Sequence, residues 1–355
     1  MPKTNYRGRR AVAIENERLR VTVLEEGGHI AGITSRDGGV NPLWTPPWPS
    51  IEPSHWDPGS DARYGNNAES RLLAGIMGHN LCMDIFGGPS EAEAAAGLTV
   101  HGEASVVPYE ISESGPALTQ RARLPQSQLA FERVLRLSGD VVEIAETVEN
   151  LAATDRPIGW TQHVTLGPPF LERGATQFRL TATRSRTADP SFTGGKGYMQ
   201  PSVDFEWPHA PLAGGGTLDM QRYTELASSA AFTSHLMDPA RELVCFVAWS
   251  PSFRLAFGYV WRRADFPWMG IWEENRFRTH SPWNGEAITR GMEFGVSPVP
   301  ESRRAMIERN GMWGVPGYRW IPAKSRVSVE YRAALRPADR IPEPEEWIVA
   351  AGYGS

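Results

Sequence analysis

The stretch RLAFGYVW, residues 254–261, sets Leu255, Phe257, Tyr259 and Trp261 on one side of an extended chain and Arg254, Ala256, Gly258 and Val260 on the other. Side chains alternate with period two along a strand, whereas a helix would scatter the same four large apolar residues around its axis. This segment is a β-strand.

The same pattern continues outward in both directions. In RVSVEYRAAL (326–335), Val327, Val329, Tyr331 and Ala333 share a face. Upstream, Leu129, Phe131, Leu135 and Leu137 form one apolar row interrupted by Arg133, and Val142, Ile144 and Val148 form a second interrupted by Glu146. Leu19, Val21 and Val23 alternate before the Gly27-Gly28 turn. Runs of this kind, separated by Gly, Pro, Asn and Asp, read as antiparallel strands with one face buried. Helical signals are sparse: SRRAMIERNG (302–311) has a Ser in N-cap position and a closing Gly, and EAEAAAGL (91–98) has room for a turn or two. Neither alternates regularly with strands, so parallel βαβ folds are disfavoured. The expectation is an all-β chain, one large antiparallel β-sandwich spanning 1–355 as a single domain. NPLWTPPWPSIEPSHWDPGSD (41–61) and the Gly-rich segment 194–216 read as loops over a face of the sheet, where binding residues often sit.

Composition narrows the function classes. The 355 residues are 41% hydrophobic and 22% charged with a net charge of -5, and Lys and Arg are scattered, so no nucleic-acid footprint is present. No run reaches the roughly 18 apolar residues of a membrane span. The N-terminal MPKTNYRGRRAVAIENE lacks the apolar core of a secretory signal. These features imply a cytoplasmic protein without a membrane or nucleic-acid partner; they do not specify its oligomeric state. Cys82 and Cys245 both lie in apolar contexts and read as buried free thiols. No fixed-period repeat supports a propeller or solenoid, and no Cys/His or EF-hand spacing supports a metal site.

Four segments in order, NERLRVTVLEEGGHIAGI (16–33), LTVHGEASVVPYEI (98–111), VEIAETVENLAATDRPIGWTQHVTLG (142–167) and ITRGMEFGVSPVPESRR (288–304), resemble the galactose-mutarotase-like superfamily, which holds the aldose 1-epimerases. The resemblance is one of landmarks along most of the chain. It implies a supersandwich with a sugar cleft on a concave face, a small-molecule sugar as partner, and no cofactor. The family's His-Gly pair is matched by His101-Gly102, its second histidine by His163, and its late-strand carboxylate by Glu293. The segment GIMGHNLCMDIFGGP (75–89) is closer to the less-characterised epimerase-like branches than to the galactose mutarotases proper, and Glu103 stands where some branches carry a basic residue.

Anomer interconversion needs one base for the anomeric hydroxyl and one acid for the ring oxygen, roles that a carboxylate and a histidine of pKa about 6.5 fill near neutral pH. The resemblance therefore implies His163 and Glu293 as the catalytic pair and His101 as a ligand of sugar hydroxyls. Glu293 stands in a run of Gly, Met, Phe, Gly and Val, where an unpartnered carboxylate is costly. Glu273 and Glu274 in MGIWEENRF are rival carboxylates. His79, Asn80 and Asp84 are further candidates for substrate binding. Among 13 tryptophans, Trp268 and Trp272 in DFPWMGIWEENR are the preferred platforms for the apolar face of a pyranose. Two other readings stay open: a non-catalytic sugar-binding or sensor protein, and a glycoside hydrolase or lyase using two carboxylates.

Overall fold

A computed structural model of the chain describes residues 4–59 and 61–353. Two large antiparallel sheets of twelve and eight strands lie face to face, with a small two-stranded hairpin beside them. The first sheet runs, in spatial order, through Thr4–Tyr6, Arg9–Glu15, Leu19–Leu24, Ile30–Ser35, His79–Asp84, Arg156–Leu166, Ile288–Gly295, Trp268–Asn275, Ser229–Met237, Ala182–Thr187 and Asp204–Glu206; Arg319–Ile321 pairs with the start of Arg156–Leu166. The second runs through Gln177–Leu180, Leu243–Ser250, Leu255–Arg262, Arg326–Pro337, Val141–Asn150, Leu129–Ser138, Ala117–Leu124 and Glu110–Ser114. The expected all-β architecture is what forms.

Phe257, Tyr259 and Trp261 point into the space between the sheets, as their alternation requires, and Trp261 stacks on Phe294 of the facing sheet with centroids 4.2 Å apart. The opposite face of the same strand is also covered. Ala256 and Val260 pack with Trp347 of the helix Pro344–Ala350, the last of four short α-helices among the described residues. Gly258 is required there, because a Cβ would sit 2.8 Å from Val247 Cα and 2.9 Å from the Trp347 indole nitrogen.

The two residues that break the apolar rows meet each other. Arg133 Nε lies 2.7 Å from Glu146 Oε1, and both side chains are buried between the sheets. Glu146 also accepts from Trp160 Nε1, Gln162 Nε2 and the Tyr331 hydroxyl. Gln162 Oε1 in turn lies 2.9 Å from His79 Nε2, whose other nitrogen is 3.0 Å from the Tyr259 hydroxyl. A buried charge is tolerated only when paired and hydrogen-bonded, which this network accomplishes.

The helical expectations hold in outline. Ser302 caps Arg303–Arg309, and Asn310, not Gly311, takes the left-handed position that ends it, with φ of 58°. Glu91–Ala95 begins with a Ser90/Glu93 capping box. The loop expectations need correction. The segment 194–216 contains Asp204–Glu206 and His209–Pro211, the latter half of the small hairpin. Trp44 and Trp48 of the 41–61 segment are buried, in an apolar cluster on the outer face of the first sheet. Both thiols are free and buried. No described helix is long and apolar enough to cross a membrane.

Candidate active site

Four neighbouring strands build the site. Trp160 and Val164 face the core, so Thr161, His163 and Thr165 face the other way. Met292 and Phe294 likewise point inward and send Glu293 outward. The pairing register sets Asn80 opposite His163, His163 opposite Glu293, and Glu293 opposite Gly270. The two side chains, 130 positions apart in sequence, thus share one rung.

His163 Nε2 lies 3.0 Å from Glu293 Oε1, and His163 Nδ1 lies 3.0 Å from the Thr165 hydroxyl. The first contact is off the line of a good hydrogen bond, leaving Oε1 without an aligned donor. His163 is 4% and Glu293 2% exposed. Glycine on both sides makes room for the carboxylate: a Cβ on Gly291 would collide with Oε1, and one on Gly270 would come 2.8 Å from Phe232 and 3.3 Å from Oε2.

His101 reaches the pair from a loop. Its φ is +67°, and its main chain pairs with Met83. Nδ1 donates to the Phe86 carbonyl at 2.6 Å, and the ring sits 4.7 Å, centroid to centroid, from that of His163. Burial, then the charge of His163, pushes its pKa down to about 3. A neutral ring with Nδ1 donating leaves Nε2 as an acceptor.

These groups open on a cleft of about 260 Å³ lined by His101, His163, Trp272, Glu293, Phe232 and Trp283, among others. Trp272 lies 5.8 Å from His163 and edge-on to Trp283. A wider groove of about 840 Å³, walled by Tyr109, Arg121, Phe131 and Arg326, lies along the second sheet and holds no histidine. Among the described residues no group of three or more His, Cys, Asp and Glu converges as metal ligands.

His101, His163, Trp272 and Glu293 therefore come together, while other candidates do not join them. Trp268 shares the face of Trp272 but lies four residues, about 13 Å, along the strand, fully buried against Trp313, its indole donating to the Pro316 carbonyl. His79 points between the sheets into the Glu146 network, and burial followed by the charge of Arg133 lowers its pKa. Asp84 is held by Arg156 and Arg303, each at 2.9 Å, at the end of its strand. Asn80 shares the rung of His163 and is wholly buried, its amide without a partner. Of the rival carboxylates, Glu273 turns to the core and accepts from Ser229, and Glu274 accepts the backbone N–H groups of Phe277 and Arg278. None of the described residues of 41–61 or 194–216 lines the cleft; Trp44 and Trp48 instead back Trp283 at 6.2 and 4.9 Å. Phe232, Arg278 and Trp283, absent from the sequence-based set, come from a strand and a loop whose local patterns point only to burial and a turn.

No protein-family model matches the sequence, and no curated protein matches it. Solved structures do resemble the fold. A Klebsiella pneumoniae protein described as a candidate aldose 1-epimerase superposes with a TM-score of 0.66 at 14% identity, over 95% of this chain and 82% of that one. A galactose mutarotase-like protein from Clostridium acetobutylicum gives 0.59 at 11% identity, over 93% and 96%. A galactose mutarotase related enzyme from Lactobacillus acidophilus gives 0.58 at 11% identity, over 94% and 100%. The TM-scores and the coverage of both chains agree: the protein has the galactose-mutarotase-like fold.

Proposed function

We propose that the protein is an isomerase of the aldose 1-epimerase type, interconverting the anomers of a hexose or modified sugar. The observation that carries this reading is the His163–Glu293 rung in an aromatic-walled cleft. Glu293, as carboxylate, removes the proton from the anomeric hydroxyl. The C1–O5 bond breaks as C1=O1 forms, and the ring oxygen takes a proton from protonated His163. Rotation about C1–C2 presents the other carbonyl face. The hydroxyl on C5 then attacks, returning its proton to His163 as Glu293 returns its own to O1. Both groups end as they began. Each is worth typically about 10²–10⁴-fold in such a step.

The role of His101 follows from its neutral ring, which accepts from a sugar hydroxyl. Trp272 supplies an apolar face for the pyranose. Hydrolysis is disfavoured because Glu273 faces the core and Glu274 is taken up by backbone N–H groups, whereas glycosidases need a second carboxyl at matched separation.

The test is polarimetry or NMR of freshly dissolved α-anomers with purified protein. Acceleration above the spontaneous rate, lost in Glu293→Gln, is the expected result. Sugar binding by calorimetry with no acceleration for any sugar would instead favour the non-catalytic reading.

A further inference from the structure

The cleft carries one arginine, Arg278, and its charge is already answered. Its guanidinium lies 3.4 Å from Glu69 and 3.5 Å from Glu274, and it sits over the Trp283 ring at 4.7 Å and near the Trp272 ring at 5.7 Å. Two carboxylates to one guanidinium, with Glu293 nearby and His101 neutral, leave no unanswered positive charge for a phosphate or carboxylate on a ligand. A charged substituent would lose water without gaining a partner.

The remainder of the lining is largely apolar. Leu72 and Leu73 of the helix Ser70–Gly75, with Ile76, Phe86, Val100 and Phe192, form a hydrophobic wall beside the polar groups of the cleft. Leu72, Leu73, Ile76 and Phe86 are at most 5% exposed. They belong to the apolar cluster that includes Trp44 and Trp283 and have no polar side-chain atom to offer a hydroxyl. A hexose presents hydroxyl-bearing groups around its whole perimeter, so a hydroxymethyl placed against this wall would be dehydrated and unpaired. A methyl in that place would be well accommodated.

Resting on the reading of the site as an anomer-interconverting one, we propose that its substrate class is the uncharged deoxyhexoses, sugars with a methyl where a hexose has a hydroxymethyl. The wall selects the methyl, and the neutralised Arg278 excludes the sugar phosphate.

The experiment compares mutarotation of D-galactose, 6-deoxy-D-galactose and D-galactose 6-phosphate, and of the corresponding three D-glucose compounds. Binding of their methyl glycosides, which do not open, is followed in parallel by tryptophan fluorescence. An apolar pocket discriminates against one added hydroxyl by roughly 10- to 100-fold. The expected result is a kcat/KM for at least one 6-deoxy sugar 10-fold or more above its parent, with the phosphates slowest. Val100→Thr, which replaces one methyl of a half-buried cleft side chain by a hydroxyl of similar size, should narrow that preference, with Tm measured to show that the variant is folded. Parent hexoses or phosphates turned over as well as the deoxy sugars would overturn this inference and leave the isomerase reading intact. Tighter binding of the deoxy glycosides without turnover of any sugar would uphold the deoxyhexose preference of the cleft and remove the isomerase reading. Absence of both turnover and binding would remove both.

Discussion

His163 faces Glu293 across a single rung between neighbouring strands, with Nε2 3.0 Å from Oε1 and glycines flanking the carboxylate. Replacing Glu293 by Gln keeps the shape and removes the carboxylate proposed as the base. Catalysis should fall by about 10²–10⁴-fold while Tm stays close to that of the wild type. A variant as active as the wild type would exclude Glu293 from the chemistry.

Gly291→Ala tests the geometry without touching a reactive group. The new Cβ would collide with Oε1 and lie 3.1 Å from Cδ of Glu293 and 3.2 Å from the Trp272 Cβ, so the carboxylate must swing away from His163. Activity should drop at least 10-fold, because displacement of a positioned group by even an ångström is costly. Retained activity would mean that the observed rotamer of Glu293 is not the working one.

The two tryptophans separate in a binding assay. Trp272→Ala should weaken sugar binding, read as a raised KM or a lost fluorescence response. Trp268→Ala should lower Tm, since truncating a buried tryptophan costs about 3–5 kcal/mol, and leave KM unaltered in the folded fraction. The reverse result would reassign the platform.

Beneath the site, Glu146→Gln would leave Arg133 charged and buried among Tyr331, Trp160 and Gln162. Breaking such a pair costs about 3–5 kcal/mol, visible in chemical denaturation. The exposed Arg121–Glu132 pair, at 2.6 Å, is the control. Glu132→Gln should cost under about 1 kcal/mol. Equal effects would contradict the burial argument.

Acid should destabilise the fold through its buried histidines. Burial pushes His29, His101 and His235 down to about 3 from 6.5. Between those values the unfolded chain binds protons that the folded chain does not, so stability falls as pH falls across that window. The slope is at most about 1.4 kcal/mol per pH unit per histidine. Asp84 and Glu273, raised by burial, act in the opposite sense, with the folded chain taking up its proton first as pH falls. His235→Gln isolates one contribution: its Tm deficit at pH 7 should shrink on acidification towards pH 4.5. A constant deficit would refute the assignment.

Most of the architecture was legible because period-two alternation reports directly which face of a strand is buried. The pattern even located its own exceptions, since Arg133 and Glu146 each broke a row and proved to be partners. The site was less legible. Alternation gives the face of a residue and not its place along the strand, so Trp268 and Trp272 read as equivalent though only one reaches the cleft. It also separates neighbours that look alike in sequence: His79 falls on the core face and Asn80 on the site face. Phe232, Arg278 and Trp283 arrive through long-range pairing and a loop, for which no local spacing gives a sign.

The shared rung also makes the proposed turnover an unusually strict gauge of refolding. Were either strand to slip by one position, Gln162 or Val164 would replace His163 on that face, or Met292 or Phe294 would replace Glu293, while the amount of β-structure stayed the same. Circular dichroism would score such misthreaded chains as recovered; only the regained rate would count the correctly threaded ones.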